Sequence, residues 1–386
     1  MRVLHLSHTD IRFDARILKE LAAIKQQLEV QVSAIGIVDD EGAAAGPPIA
    51  EVRIDSIGLG LRRWRVLPRT LRHALTFVEL LGRMVPKVLA LKPDVVHCHD
   101  TLVLPIGALA RVLYGCALIY DAHELESQKN GQTRVLSGAT LLFERLCWPL
   151  VDLLVSVSPS ILLWYQDKLG AKRSVLVMNA PTEQHGAKSH DFPDRYFHRR
   201  FGIANDRKVF VYLGILAPGR GIPLLLEAFG RRGCEADLVF IGYGDLIGVG
   251  DAARRLPNVH LHPAVPHDQV VSIVRTADYG ICLIEDVSLS DRLCLPNKLF
   301  EYAFASLPVL ASDLPEIRRV VNHYRLGLCC APNANSVAST IGRLVAERWT
   351  VDVPSLKDLS WSSQASRLVE AYREIGFRRG LSLHGD

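Results

Sequence analysis

Short apolar runs alternate along this chain with longer stretches in which apolar positions recur at helical spacing. In the first half the runs at 3–6, 30–35, 95–97, 117–120, 153–157 and 175–177 read as strands. The stretches 15–27, 71–90, 105–113, 139–146 and 160–168 read as helices between them. Ser158-Pro159 marks the start of the last one, since proline fits a first helical turn. Near-continuous apolar strands alternating with helices are the mark of a parallel sheet covered on both faces. The pattern breaks over 182–208, which is polar, charged and poor in strand formers, and so reads as a linker. A second series then begins, with strands at 209–213, 238–241, 259–261, 279–283, 309–311 and 327–330, and helices at 224–229, 268–276, 297–305 and 337–347. The expected organisation is α/β with two Rossmann-like domains, 1–181 and 209–360, and a C-terminal helix within 361–386 that returns to the first domain. Open parallel sheets bind ligands beyond the carboxyl ends of their strands, so two such domains facing each other would form a site in the cleft between them.

A length of 386 residues agrees with two domains rather than one core. An apolar fraction of 49% and a charged fraction of 22% suit a soluble globular protein, and a formal charge of +4 is too small to argue for a nucleic-acid partner. The placement of the basic residues says more. Arg62, Arg63, Arg65, Arg69 and Arg72 surround Trp64 and several leucines with no acid among them, which suits phospholipid head groups or a lipid diphosphate as well as a solvated arginine-rich loop. The eight cysteines form no C-x-x-C pair and sit mostly in apolar runs, as buried free thiols of a reducing compartment do. The first residues read as a strand followed by a polar run, not as a signal peptide, and no apolar stretch is long enough to span a bilayer. The expected location is cytoplasmic, with any membrane contact peripheral on the inner face of the plasma membrane.

Candidate chemistry gathers after strands. Pro296-Asn297-Lys298-Leu299-Phe300-Glu301-Tyr302 predicts a helix start, whose unpaired N–H groups suit a diphosphate. Lys298 adds a charge in the first turn, and Glu301 lies one turn on, where its carboxylate can accept both hydroxyls of a ribose. Tyr212-Leu213-Gly214 through Arg220-Gly221 reads as strand, glycine turn and helix, with Arg220 able to fork onto diphosphate oxygens. Gly242-Tyr243-Gly244 is a second glycine turn after a strand. Val265, past the strand at 259–261, completes the donor-side set with Asn297 and Leu299. In the first half, Tyr120-Asp121-Ala122-His123-Glu124 ends a strand with three ionisable groups, and His123 is a candidate to hydrogen-bond a donor sugar or a structural histidine held by a carboxylate. His97 and His99 are read as facing opposite sides of their strand, which leaves no metal shared between them, His97 in the core and His99 lining the cleft beside Asp100. Asp14 is expected to cap the helix at Ala15, while Asp10 and Arg12 face the cleft on the acceptor side.

Taken in order, these stretches resemble the retaining GT-B glycosyltransferases of family 4 over nearly the whole chain. The resemblance is carried by Gly214, Arg220 and Gly221, by Gly242-Tyr243-Gly244, and by Leu299 through Ser312 with Pro315-Glu316-Ile317. The stretch Tyr120 to Glu124 and the run His97 to Asp100 look like the bacterial polysaccharide-building members. The resemblance implies that Glu301 holds the donor ribose, Arg220 and Lys298 the diphosphate, and His123 the donor sugar. It also implies retention of anomeric configuration. Three departures stand out, one of them that Arg220 stands where lysine is usual. Leu293 occupies the position of a second glutamate, and Ile215 that of an arginine after the first glycine. Glu285 and Asp286 are candidates to replace the missing acid.

The leaving group would be a nucleoside diphosphate, taken as UDP, and its growing charge would be met by Arg220, Lys298 and the helix start. No acidic D-x-D run is present where a metal-bridged diphosphate would need one, so neither a cofactor nor a divalent metal is expected. The acceptor would be a glycan or a lipid-linked sugar of cell-surface polysaccharide assembly. The alternatives are a nucleotide-sugar epimerase or hydrolase of the same fold, and a non-catalytic nucleotide-sugar-binding partner subunit.

Overall fold

The structure, a computed structural model, describes residues 1–38, 52–64, 66, 68–182, 192–244 and 246–381. It divides into two compact units. One comprises 1–177 with 365–386, and the other 178–364.

The first unit is built on seven strands: β1 (Arg2–Ser7), β2 (Gln31–Val38), β3 (Arg53–Gly58), β4 (Val95–His99), β5 (Ala117–Ala122), β6 (Leu153–Ser156) and β7 (Ser174–Leu176). They lie in the order β3-β2-β1-β4-β5-β6-β7, and every pairing is parallel. The order reverses between β1 and β4, which places a switch point at their carboxyl ends. β4 and β5 are buried along their whole length, as sequences covered on both faces should be. The helix Ala15–Gln27 begins where expected, its first N–H groups at Arg16 and Ile17 bonded to the Asp14 carboxylate. The C-terminal helix Trp361–Arg378 returns to this unit and buries Leu368, Val369 and Tyr372, while Arg373 donates to the Gln27 carbonyl at the end of the first helix.

The second unit carries β8 (Lys208–Leu213), β9 (Ala236–Ile241), β10 (Val259–His262), β11 (Tyr279–Cys282), β12 (Val309–Ser312) and β13 (Gly327–Cys330). Their order is β10-β9-β8-β11-β12-β13, with the reversal between β8 and β11. The helix Asn297–Phe304 lies over this reversal, held by Tyr302. The buried Tyr302 hydroxyl donates to the Val211 carbonyl at 3.1 Å and accepts from the Leu213 N–H at 2.8 Å. The ring can reach β8 only because residue 280 has no side chain, since a Cβ there would stand 2.4 Å from the ring.

Several elements escape the sequence pattern. β3 is an edge strand in which Ile57 alone is buried, so it presents no apolar run. The helix Leu246–Arg255 carries two glycines, and Pro315–His323 has only three apolar positions. Within the stretch expected as a linker, Tyr196–Phe201 is a helix with Phe197 fully buried. The eight cysteines are free thiols, and no described helix is long and apolar enough to cross a membrane. Gly280→Ala is expected to destabilise the protein by about 1–3 kcal/mol through overpacking against Tyr302, measured as a lowered urea midpoint. An unchanged midpoint would remove this account of the helix anchor.

Candidate active site

At the carboxyl ends of β1, β4 and β5 the chain assembles a buried set of ionisable groups. Asp121 closes β5 with no exposure, and burial alone would push its carboxyl pKa up. Arg16 and His123 reverse this and hold it well below the usual range. Arg16 contacts both Asp121 oxygens, at 2.9 and 3.1 Å, donates to the Val177 carbonyl at 2.8 Å, and lies 3.1 Å from Glu20. His123 Nε2 lies 3.2 Å from Asp121 Oδ2, and its Nδ1 lies 3.9 Å from Asp100 Oδ2. Burial disfavours the imidazolium, but the two carboxylates outweigh it and raise the His123 pKa to about 10. His123 is therefore a cation at neutral pH that keeps 19% of its side chain open to solvent.

Asp100 is held in a backbone conformation (φ 67°, ψ 169°) that is almost restricted to glycine. Its N–H donates to the Asp121 carbonyl at 2.9 Å, which fixes the turn out of β4. Burial would raise its pKa, yet His123, Lys129 and His8 bring it down to about 2. Asp10 and Arg12 pair with each other at 2.6 Å and close the short turn before the first helix. Glu124 is paired with Lys129 at 3.0 Å.

Three buried histidines lie beneath His123. Alternation along a strand puts residues i and i+2 on the same face. His97 and His99 accordingly stack at 4.5 Å, which corrects the expectation that they diverge and that His99 is open to a cleft. Burial is the main cause that lowers the pKa of His97 to about 3 and of His99 to about 4, and it lowers His5 as well, so all three are neutral. Ligand atoms of His5, Glu20, His97 and His99 come within 4.8 Å of one another, as do those of His99, Asp121 and His123. A divalent ion there would have to displace the Arg16 guanidinium from Glu20 and Asp121.

In the second unit the candidate residues gather at the β8/β11 reversal. Lys298 Nζ sits 4.0 Å from the centre of the Tyr212 ring. Burial draws its pKa down to about 8, Arg220 acting in the same sense and Cys282 and Glu301 opposing it. Arg220 lies 3.4 Å from the buried Asp291 carboxylate, and Glu301, 9% exposed, lies 3.9 Å from His267. Glu285 accepts the Gly221 N–H at 2.9 Å, so this acid holds the Arg220 loop in shape, while exposed Asp286 lies 3.8 Å from Arg292. Asp291, which stands in no acidic run of the sequence, is the carboxylate beside Arg220. Leu299 is fully buried, so its side chain belongs to the core and not to a ligand contact. Asn297 and Tyr243 are exposed and Val265 is half-buried.

The glycine turns touch one another. A Cβ on Gly242 would fall 1.9 Å from the Gly214 carbonyl oxygen, and one on Gly244 2.4 Å from that of Leu216. Leu216 and Gly244 also share an isolated bridge. These glycines let two loops pack backbone to backbone at the ends of β8 and β9. Sequence reasoning passed over His5, Arg16, Glu20, His267 and Tyr372. The available signal was His5 in an otherwise apolar strand, opposite His97 in the parallel register.

Asp100→Asn should lower the His123 pKa by about 1 unit or more, followed by NMR titration of the imidazole. Because the folded pKa lies above the unfolded value, His123 adds stability that is complete below about pH 6.5 and fades as pH rises towards 10. The decline should be shallower in the variant, and identical pH profiles would disprove the coupling.

Comparison with known proteins agrees with this geometry. The glycosyl transferase 4-like domain matches residues 15–181, and glycosyl transferases group 1 matches 207–347. Alpha-maltose-1-phosphate synthase of Mycolicibacterium smegmatis is 23% identical over 73% of this chain and 79% of its own. Sucrose-phosphate synthase of Thermosynechococcus elongatus superposes with a TM-score of 0.71 at 14% identity, covering 98% of this chain and 97% of that one. HepE of Anabaena, in complex with UDP-glucose, superposes with a TM-score of 0.65 at 13% identity, covering 98% and 99%. With two Rossmann-like sheets, the GT-B architecture, and both family domains in order, this chain belongs to glycosyltransferase family 4 and uses a nucleotide-sugar donor.

Proposed function

We propose that the protein transfers a sugar from a UDP-sugar to a glycan or lipid-linked acceptor. Transfer retains the anomeric configuration and needs no divalent ion, and it serves cell-surface polysaccharide assembly on the cytoplasmic side of the membrane. The observation that carries the reading is the set Arg220, Lys298 and Glu301 at the ends of β8 and β11. Two cations beside a helix start match a diphosphate, and a nearly buried carboxylate one helical turn away matches a ribose. In this reading the cations and the first N–H groups of Asn297–Phe304 neutralise charge as it grows on the leaving β-phosphate. His123, already protonated, donates a hydrogen bond to the donor sugar.

Glu301→Ala is expected to weaken UDP binding about 10–100-fold, as loss of a charged two-point hydrogen bond implies, with the circular dichroism unchanged. Calorimetry that returned the wild-type affinity would reject the ribose assignment. Turnover across a panel of UDP-sugars should persist in excess EDTA, and activity that EDTA abolished and magnesium restored would reject the metal-free part.

The membrane reading rests on a wider surface than the arginine stretch. The helices Arg69–Leu91, Leu104–Tyr114 and Arg134–Cys147 pack side by side. Their outer positions leave Val78, Val112, Leu113, Val135, Leu142 and Leu146 exposed. Trp64 and Val66, in the loop before them, are exposed too. The acids on these helices are Glu79, paired with Arg83, and the buried Glu144, whereas Arg62, Arg63, Arg72, Arg134 and Arg145 supply positive charge. Arg65 lies outside the described residues, as does the side chain of Arg69. An apolar face edged by arginines suits an anionic bilayer. The protein should sediment with phosphatidylglycerol-containing vesicles and not with phosphatidylcholine alone, and Val112→Asp combined with Leu142→Asp should release it. Equal binding to both vesicle types, or none, counts against this surface.

A further inference from the structure

We infer that Tyr372, on the C-terminal helix, is a positioning residue for His123, acting through a one-directional chain of hydrogen bonds that passes by His99 and His5. The inference rests on the reading of His123 as the group that meets the donor sugar. It concerns four side chains to which that reading gives no part.

The contacts run without a gap. His123 Nε2 lies 3.1 Å from His99 Nδ1, His99 Nε2 lies 2.9 Å from His5 Nδ1, and His5 Nε2 lies 3.3 Å from the Tyr372 hydroxyl. That hydroxyl lies 2.7 Å from His97 Nδ1. The other nitrogen of His97, Nε2, points towards Asp121 Oδ2 at 3.6 Å and Glu20 Oε2 at 3.8 Å. His5, His97, His99 and Tyr372 are all without exposure.

A neutral imidazole has one donor nitrogen and one acceptor, so each ring in such a row sets the next. The row is polarised from its open end. Held between two carboxylates, His123 carries both protons, and its Nε2–H can only donate. Asp121 Oδ2 lies 3.2 Å from that nitrogen and 3.3 Å from His99 Nδ1, but Arg16 already donates to this oxygen, so the His123 proton is shared with His99 Nδ1, and His99 holds its own proton on Nε2, from which it donates to His5 Nδ1. His5 holds its proton on Nε2 and donates to the Tyr372 oxygen, leaving the phenol proton to go to His97 Nδ1. His97 ends with its proton on Nε2, facing the Asp121 carboxylate and the acid of Glu20, whose pKa burial and Asp121 raise to about 8. All three buried rings thus adopt the same Nε2–H tautomer, and every proton points from His123 towards Asp121 and Glu20. The opposite polarity would make His99 Nδ1 one more donor to Asp121 Oδ2, which Arg16 and His123 already share, and would aim the bare Nε2 lone pair of His97 at that same carboxylate.

The phenol is the one group in the row that comes from outside β1, β4 and the loop after β5. It turns the direction of the chain back towards the carboxylates. Without it, His5 has no acceptor for its Nε2–H, and nothing then prevents His5 and His99 from flipping to the other tautomer, with loss of the acceptor that orients the His123 ring.

Long-range proton–nitrogen NMR spectra of the imidazoles test this directly. Wild-type protein should show His5, His97 and His99 each in the single Nε2–H form, and a His99 protonated on Nδ1 overturns the proposal whatever any variant does. In Tyr372→Phe the His5 and His99 nitrogen shifts should move towards the average of two tautomers, and the His123 signals should shift with them. In the UDP-sugar assay, kcat should fall about tenfold while the KM for the donor stays within twofold. A folded Tyr372→Phe protein with unmoved His99 and His123 signals and wild-type kcat also overturns it. His123→Ala separates the two layers. Full turnover there removes the role of His123 and leaves the chain to be judged by the spectra. Lost turnover there, with Tyr372→Phe silent in both spectra and rate, removes the chain alone.

Discussion

A fully buried carboxylate at the end of a central strand is the constraint on which the first unit depends. Asp121 cannot stay ionised in that position without compensating charge, because the desolvation of an isolated carboxylate exceeds what any packing returns. Arg16 supplies the compensation, and its reach is what matters structurally. One guanidinium ties the first helix to β5 and to the carbonyl of Val177, where the first stretch of this unit ends. Together with Asp100, the same carboxylate holds His123 in its charged form. The carboxylate that closes the fold therefore also takes part in preparing the candidate catalytic histidine.

Around that pair, the structure accepts local cost. Asp100 occupies a backbone region that normally belongs to glycine, which costs on the order of 1–3 kcal/mol. The bonds made there show what the strain maintains, since the N–H of Asp100 is fixed to β5 while its side chain stands over His123 and His8. Neutral histidines below the site are a second cost, because buried imidazoles are affordable only when both ring nitrogens find partners. The network meets nearly all of this demand, and the unpartnered Nε2 of His97 faces carboxylates just beyond hydrogen-bond range.

Much of this was legible in the sequence, and the failures have physical reasons. Twelve of the thirteen strands follow from apolar runs, because strands covered on both faces must be apolar throughout. β3 is missed because an edge strand need bury only one side chain. The GT-B architecture and the family follow from the ordered glycine, arginine and glutamate segments of the second unit. The buried polar cluster was hidden for a different reason. Its members are separated by as many as 367 positions, as His5 and Tyr372 are, and only the strand order brings them together. His97 and His99 were visible but assigned to opposite faces, where a strand's period of two requires one face. In the second unit, Glu285 looked like a substitute acid but is bonded to the Gly221 backbone, and the carboxylate beside Arg220 comes from Asp291.

The two units share one solution to the problem of charge in a partly dry site. In each, a cation is fixed by its neighbours while part of it stays accessible to another partner. His123 keeps its proton between two carboxylates and retains an open edge. Lys298 rests on an aromatic face, with its pKa drawn down to about 8 by burial and helped down by Arg220. A lysine in that state gains from any anion that arrives, since added negative charge restores the pKa that burial removed. A tyrosine hydroxyl bonded to the β8 backbone holds the helix of Lys298 in place beforehand, as Asp121 and Asp100 hold His123. Fixed charges of this kind need no reorganisation as a leaving group develops charge, which is the condition under which electrostatic stabilisation lowers a barrier rather than merely tightening binding.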